Sequence, residues 1–169
     1  MNLLNTQRLN GHLSMPTLGR YLLGLVLAGA CISTAQAQAR YSYSTDGAEV
    51  TDSKTGLIWQ RCSAGQSWDG STCNGTAATY THEAALSYAK TQAQAGWRLP
   101  NVKELFSITD KTRSNPAIDV TAFPATPPSW YWSASPYAGD AADAWLVLFY
   151  YGGISYGNRG DLNRVRLVR

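Results

Sequence analysis

Trp97-Arg98-Leu99-Pro100-Asn101-Val102-Lys103-Glu104-Leu105 joins two kinds of backbone within nine residues. Pro100 has no amide hydrogen to donate, and its ring drives Leu99 toward extended backbone. Directly after it, Asn101 and Glu104 have the spacing of a capping box. The Asn101 side chain accepts from the amide of Glu104, and the Glu104 carboxylate accepts from the amide of Asn101. The spacing predicts an extended segment carrying Trp97 and Leu99 that turns sharply into a helix from Val102 to about Thr109, with Leu105 and Phe106 on it. Large apolar residues on both sides of a forced corner belong to a core. Arg98 and Glu104 are supports of that corner rather than catalysts.

Upstream of the corner, Thr81 is an N-cap for a helix running to Gln94. Ala84, Ala85, Tyr88 and Ala89 recur at helical spacing, and Gly96 stops it. His82 and Glu83 fall in its first turn and are expected in solvent. As neighbours on a helix they face different directions, which is unsuited to a catalytic pair. Before this helix, Leu57-Ile58-Trp59 reads as a short buried strand. Residues 40–50, with Tyr41 and Tyr43, form a linker or a first edge strand. Residues 62–79 are a long loop of Gly, Ser, Thr and Asn. Downstream, Pro116, Pro124, Pro127 and Pro128 keep residues 110–130 irregular. Tyr131-Trp132-Ser133 starts a strand, Trp145 to Tyr151 makes another, Gly152-Gly153 is a hairpin turn, and Arg164 to Val168 alternates as a closing strand. Strands, then two helices, then an antiparallel strand cluster indicate an α+β fold.

Four stretches in this order carry a resemblance. They are Thr55-Gly56-Leu57-Ile58-Trp59-Gln60-Arg61-Cys62, the Trp97–Leu105 string, Tyr131-Trp132-Ser133-Ala134-Ser135, and Val165-Arg166-Leu167-Val168-Arg169. The chain resembles the Lcl C-terminal domain family, a bacterial domain of unknown function found at the end of collagen-like Legionella adhesins, whose signature is WRLPxxxEL. The resemblance implies a C-type-lectin-like fold: two short helices, a twisted antiparallel sheet and long loops. Within the matching stretches Trp59, Trp97, Arg98, Pro100, Glu104 and Trp132 are structural anchors, and Trp145, expected to face inward, is another. Arg166 and Arg169 belong to the closing motif as scaffold, pairing with Glu104 or an aspartate.

The tail from residue 145 onward is less easily explained as scaffold. Trp145, Val147, Phe149, Gly152 and Ile154 are expected inward. Leu146, Leu148, Tyr150, Tyr151, Ser155, Tyr156, Asn158, Asp161 and Asn163 are expected outward, which is more aromatic and aliphatic surface than solvent exposure accounts for. Tyrosine mixed with Ser, Gly and Asn is the composition of adaptable binding surfaces. The tail also resembles the variable region of lectin-like proteins diversified by retroelements, where adenines of Asn codons are rewritten. Such codons never encode Lys, Glu, Gln, Met or Trp. Those types are absent from the thirteen outward positions, which are the nine above with Gly153, Gly157, Gly160 and Leu162. An ordinary lectin-like hairpin with an aromatic outer face fits the same residues. For Arg159, within this stretch, the resemblance to adhesins implies contact with an anionic ligand such as a sulfated glycan.

The first 39 residues hold Arg8 and Arg20, no acidic residue, an apolar run from Tyr21 to Ala30, and small-x-small sites ending at Ala37 and Ala39. They read as a secretory signal peptide, leaving residues 40–169 as the exported domain, at the cell surface, in the periplasm or secreted. Lipidation at Cys31 is the alternative, although Ala28-Gly29-Ala30 is a poor lipobox. The run is too short to span a bilayer. Removing the leader lowers the formal charge from +3 to +1, since 12 basic residues then face 11 acidic ones. That balance does not suggest nucleic acid. Cys62 and Cys73 remain as an even pair in an exported chain, which reads as a disulfide contributing about 2–3 kcal/mol.

Two cysteines and His82 are too few for a metal site. The Glu-Pro-Asn and Trp-Asn-Asp motifs of calcium-dependent lectins are absent, and no cofactor is expected. The leading function is a non-catalytic adhesin or receptor-like module whose partner is a protein or a glycan. A structural envelope or fimbrial component comes second. An enzyme related to formylglycine-generating enzymes comes last, because no cysteine follows Cys73 and no nucleophile elbow surrounds a serine. Oligomeric state and ligand identity have no sequence signal.

Overall fold

The computed structural model describes residues 39–169; the leader up to Gln38, with Cys31, lies outside the described residues. The fold is α+β, built from two helices and three small antiparallel sheets rather than one large twisted sheet. Strands β1 (Tyr41–Tyr43), β2 (Glu49–Asp52) and β3 (Ile58–Gln60) form the first sheet in that order. Val50 stands opposite Trp59, and both are fully buried. Asp52 ends β2 inside the protein, where Arg40 reaches it through Nε at 2.9 Å and Nη2 at 2.8 Å. Burial alone would raise the Asp52 pKa. The Arg40 hydrogen bond and the Lys54 amide outweigh it and hold the carboxyl below its ordinary value.

Strands β4 (Ser67–Trp68) and β5 (Cys73–Asn74) make a two-stranded hairpin inside the expected loop. The Cys62–Cys73 disulfide closes it, with Cα atoms 5.4 Å apart. Helix α1 (His82–Thr91) starts where expected, with the Thr81 hydroxyl accepting from the Ala84 amide. It ends earlier, in a 3-10 turn (Ala93–Ala95) before Gly96 at φ 80°. Ala85 and Ala89 face the core and Tyr88 is half-buried, while Ala84 is exposed.

The Trp97–Leu105 corner has the predicted geometry. Trp97 is 7 % exposed, and Leu99 and Pro100 are buried. Both bonds of the capping box form, 2.9 Å from the Glu104 amide and 2.8 Å to its carboxylate. Helix α2 (Val102–Ser107) is shorter than expected. Arg98 grips the same carboxylate in a bidentate pair at 2.7 and 2.8 Å. The Pro100 carbonyl and the Val102 amide bond to Ala134 and Ser135, tying the corner to strand β6 (Trp130–Pro136).

Strands β6, β7 (Asp143–Leu148) and β8 (Gly153–Asn158) form the last sheet in that order. Tyr131 stands opposite Val147, and Trp132 opposite Leu146. The first pair joins a core cluster with Trp59, Leu105 and Phe149; the second joins another with Trp97, Leu99 and Leu167. The β6–β7 pair is therefore covered on both faces, so this stretch has no single inward side.

The closing segment differs from the expected alternating strand. Val165, Arg166, Leu167 and Val168 are all buried in succession. Their backbone bridges the sheets instead: Gln60 N donates to Leu167 O, Arg98 N to Val168 O, and Trp132 N to Arg164 O. The expected arginine partners are also corrected. Arg166 is fully buried without a carboxylate; its guanidinium donates to the carbonyls of Gln60 and Arg61 and to the hydroxyls of Ser63 and Thr126, and lies 4.8 Å from the Phe123 ring. Arg98 occupies Glu104, so Arg169 pairs with Glu49 at 2.7 Å. No helix among the described residues is long and apolar enough to cross a membrane.

Candidate functional site: the C-terminal hairpin

Strands β7 and β8 pair in unbroken register, from Leu148 opposite Gly153 to Asp143 opposite Asn158. The turn between them is Phe149–Gly152, so the two expected strand tyrosines sit at its tip. Gly152 is required there by its φ of 77°. At Gly157 a Cβ would stand 2.9 Å from Leu146 Cδ1, so any larger residue would have to displace the end of that side chain. The tip is held from below by bonds from Gly152 N to Leu148 O (3.0 Å), Asn115 N to Tyr150 O (2.7 Å) and Ala117 N to Phe149 O (2.6 Å). Its backbone is anchored while the Tyr150 and Tyr151 side chains stay 49 % and 58 % exposed.

Directly opposed residues of an antiparallel pair share a face. Trp145, Ile154, Tyr156 and Asn158 therefore lie on one face of the hairpin, and Leu146, Leu148 and Ser155 on the other. The residues expected to form one outward surface are divided between the two. Leu146 is corrected outright: it is 4 % exposed and packs in the second core cluster. Leu148 and Ser155 are half-buried. Ile154, expected inward, is 43 % exposed because β8 is the sheet's last strand and nothing among the described residues covers that position.

Trp145 is likewise not a buried anchor. It is half-buried in an aromatic group with Tyr156 and Tyr137, a loop residue that sequence periodicity could not place. Tyr137 stacks on Tyr156 at 3.9 Å and meets Trp145 edge-on at 5.2 Å. Tyr156 is also the main cause raising the pKa of the Tyr137 hydroxyl.

After β8 the chain passes under α1. Arg159 is half-buried; its Nε donates to Asp143 O at 3.2 Å, and its carbonyl accepts from His82 N at 2.9 Å. Asp161 is exposed, as expected, while Asn163 is half-buried and exchanges backbone bonds with Tyr80. Arg159, Gly160, Thr81, His82, Glu83 and Leu86 together line a cleft of about 440 Å³. His82, expected in solvent, is 2 % exposed and edge-on to Trp132. Its Nε2 lies 3.0 Å from the Ser133 carbonyl, an acceptor, so that nitrogen carries the hydrogen. Burial lowers its pKa, and Arg159 adds to the effect.

The hairpin thus presents two exposed tyrosines on a hydrogen-bonded tip, an aromatic stack on one face, and a loop carrying Arg159 and Asp161 beside the start of α1. A sequence model described as the Lcl C-terminal domain matches residues 48–169. None of the curated proteins compared with the chain matches it.

Proposed function

We propose that this chain, which belongs to the Lcl C-terminal domain family, acts as an exported, non-catalytic binding module that recognises a protein or glycan through its C-terminal hairpin. One observation carries the reading. Five of the eight large hydrophobic residues that stay exposed among the described residues are Tyr150, Tyr151, Ile154, Tyr156 and Leu162. Ile154 and Tyr156 share one face of the hairpin, and Tyr150 and Tyr151 sit side by side at its tip; neighbouring exposed apolar residues mark interaction sites, whereas scattered ones need no explanation. Arg159 beside them suits an anionic partner such as a sulfated glycan, and the polar residues Asn158 and Asp161 supply adaptable hydrogen bonds. A C-type-lectin-like arrangement, with loops displayed on a short antiparallel sheet, agrees with the α+β elements. Retroelement diversification of residues 146–163 is the finer part of the proposal. It expects a reverse-transcriptase gene and a near-repeat of the 3′ coding end close by; a locus with neither removes it.

The test compares the wild type with the Tyr150→Ser/Tyr151→Ser/Tyr156→Ser variant on an array of sulfated and neutral glycans and matrix proteins. Aromatic anchors dominate such interfaces, so a ligand of the wild type should lose most of its affinity. Retention of wild-type binding by the folded variant would sink the hairpin as the site. Binding lost only in Arg159→Ala would assign recognition to the anionic contact.

A further inference from the structure

On the first sheet, away from the hairpin, Glu49, Gln60, Gln66, Trp68, Tyr88 and Trp97 line a cleft of about 230 Å³, together with the disulfide Cys62. Its polar groups fall into two sets. Gln66 is engaged in the fold, its Oε1 accepting from the Ser63 amide at 3.2 Å and its Nε2 donating to Ala125 O at 3.2 Å. Glu49 is engaged through Oε2, which accepts from Arg169, a residue outside the lining that also donates to Ala95 O and lies 4.6 Å over the Trp97 ring. By contrast, the Gln60 amide and the Tyr88 hydroxyl make no hydrogen bond among the described residues, and neither is sealed from solvent. Glu49 keeps Oε1 open beside them.

The open set decides the ligand class. A carboxylate oxygen, an amide and a phenol together offer donors and acceptors at close range. The half-buried Tyr88 and Trp68 add apolar surface; one side of the Trp68 ring carries the Arg61 guanidinium at 3.9 Å, and Trp97, 7 % exposed under Arg169, contributes only its rim. A purely apolar ligand would strip water from these polar groups without replacing its bonds. A phosphate or sulfate would meet the Glu49 carboxylate, and the guanidiniums over the cleft's tryptophans are already engaged, Arg169 with that carboxylate and Arg61 with the carbonyls of Gly47, Thr121 and Ala122. A ligand bearing several neutral hydroxyls on a ring with one apolar face satisfies both kinds of surface. Sites for drug-sized ligands run to about 300–1,000 Å³, so a cleft of about 230 Å³ takes a single ring.

We propose that this cleft binds one neutral pyranose, as a free sugar or the terminal residue of a glycan, independently of the hairpin. The test is titration of the oxidised protein with the methyl glycosides of glucose, galactose, mannose and N-acetylglucosamine, read by NMR at the tryptophan indole protons. The expected affinity is about millimolar, with shifts at the indoles of Trp68 and Trp97. Gln60→Ala and Tyr88→Phe remove groups that hold nothing in the fold. Each should leave the melting temperature in place and weaken binding by about threefold to tenfold, the effect of one hydrogen bond. Tyr150→Ser/Tyr151→Ser should leave glycoside binding untouched. The proposal is overturned if none of the four glycosides moves the two indoles. It is equally overturned if binding survives both cleft variants unchanged, or is lost only in the hairpin variant.

Discussion

Arg166 and Arg159 belong to the same C-terminal tail, yet their surroundings are opposite. The Arg166 guanidinium is enclosed among backbone carbonyls and hydroxyls from two other segments, residues 60–63 and Thr126, and burial lowers its pKa. Arg159 is tied to the fold at Nε and borders an open cleft. The tryptophans divide in the same way: Trp59, Trp97 and Trp132 are core, whereas Trp145 is half-buried in an outer aromatic stack. Residue type therefore does not separate scaffold from surface here. What separates them is whether neighbouring segments already satisfy the side chain's bonding and packing.

The largest test of that division is Trp97→Ala. Loss of a buried indole should cost about 3–5 kcal/mol in chemical denaturation. A variant that keeps wild-type stability but loses ligand would make the corner a site and erase the contrast.

Asp52 comes next. Its folded-state pKa is depressed, so the folded protein binds that proton less readily than the unfolded chain. The resulting stability is complete above the ordinary carboxylate pKa of about 3.9 and is lost as pH falls through the folded value. Asp52→Asn leaves the partly exposed Arg40 without its charge partner and should cost about 2 kcal/mol at neutral pH. Urea melts across the acidic range should then show a flatter dependence than the wild type. An unchanged slope would mean that Asp52 does not contribute.

Glu104→Ala removes one half of the capping box and the anion that Arg98 grips at the partly exposed corner. The expected cost is about 1–2 kcal/mol by the same denaturation. The smallest effect belongs to Tyr150→Ser/Tyr151→Ser, whose side chains are exposed at a backbone-held tip; stability should stay within about 0.5 kcal/mol of wild type. A collapse there would show the tip tyrosines to be structural. Tyr156 is kept out of this pair because its stack on Tyr137 is worth about 0.5–1.5 kcal/mol by itself.

Local chemistry in the sequence was enough for the corner, the Thr81 N-cap, the α+β order and the Cys62–Cys73 pairing. Each of those rests on residues whose preferences act within a few positions, or on the two thiols that residues 40–169 contain. The orientation of the hairpin was not legible in the same way. Period-two alternation assumes one buried face, but the β6–β7 pair is buried on both, so Leu146 and Val147 are core in succession while Ile154, on the outermost strand, is exposed. His82 illustrates the same limit: its place in a first helical turn suggests solvent, and only Trp132 and the Ser133 carbonyl, distant in the chain, bury it. The partners of Arg166 and Arg169 were also invisible, because long side chains choose among carbonyls and carboxylates that only the folded chain brings within reach. The sequence by itself determined where the chain turns and which elements it forms. Tertiary packing decided which side of each element remains free to meet a partner, because burial depends on what other segments place against it.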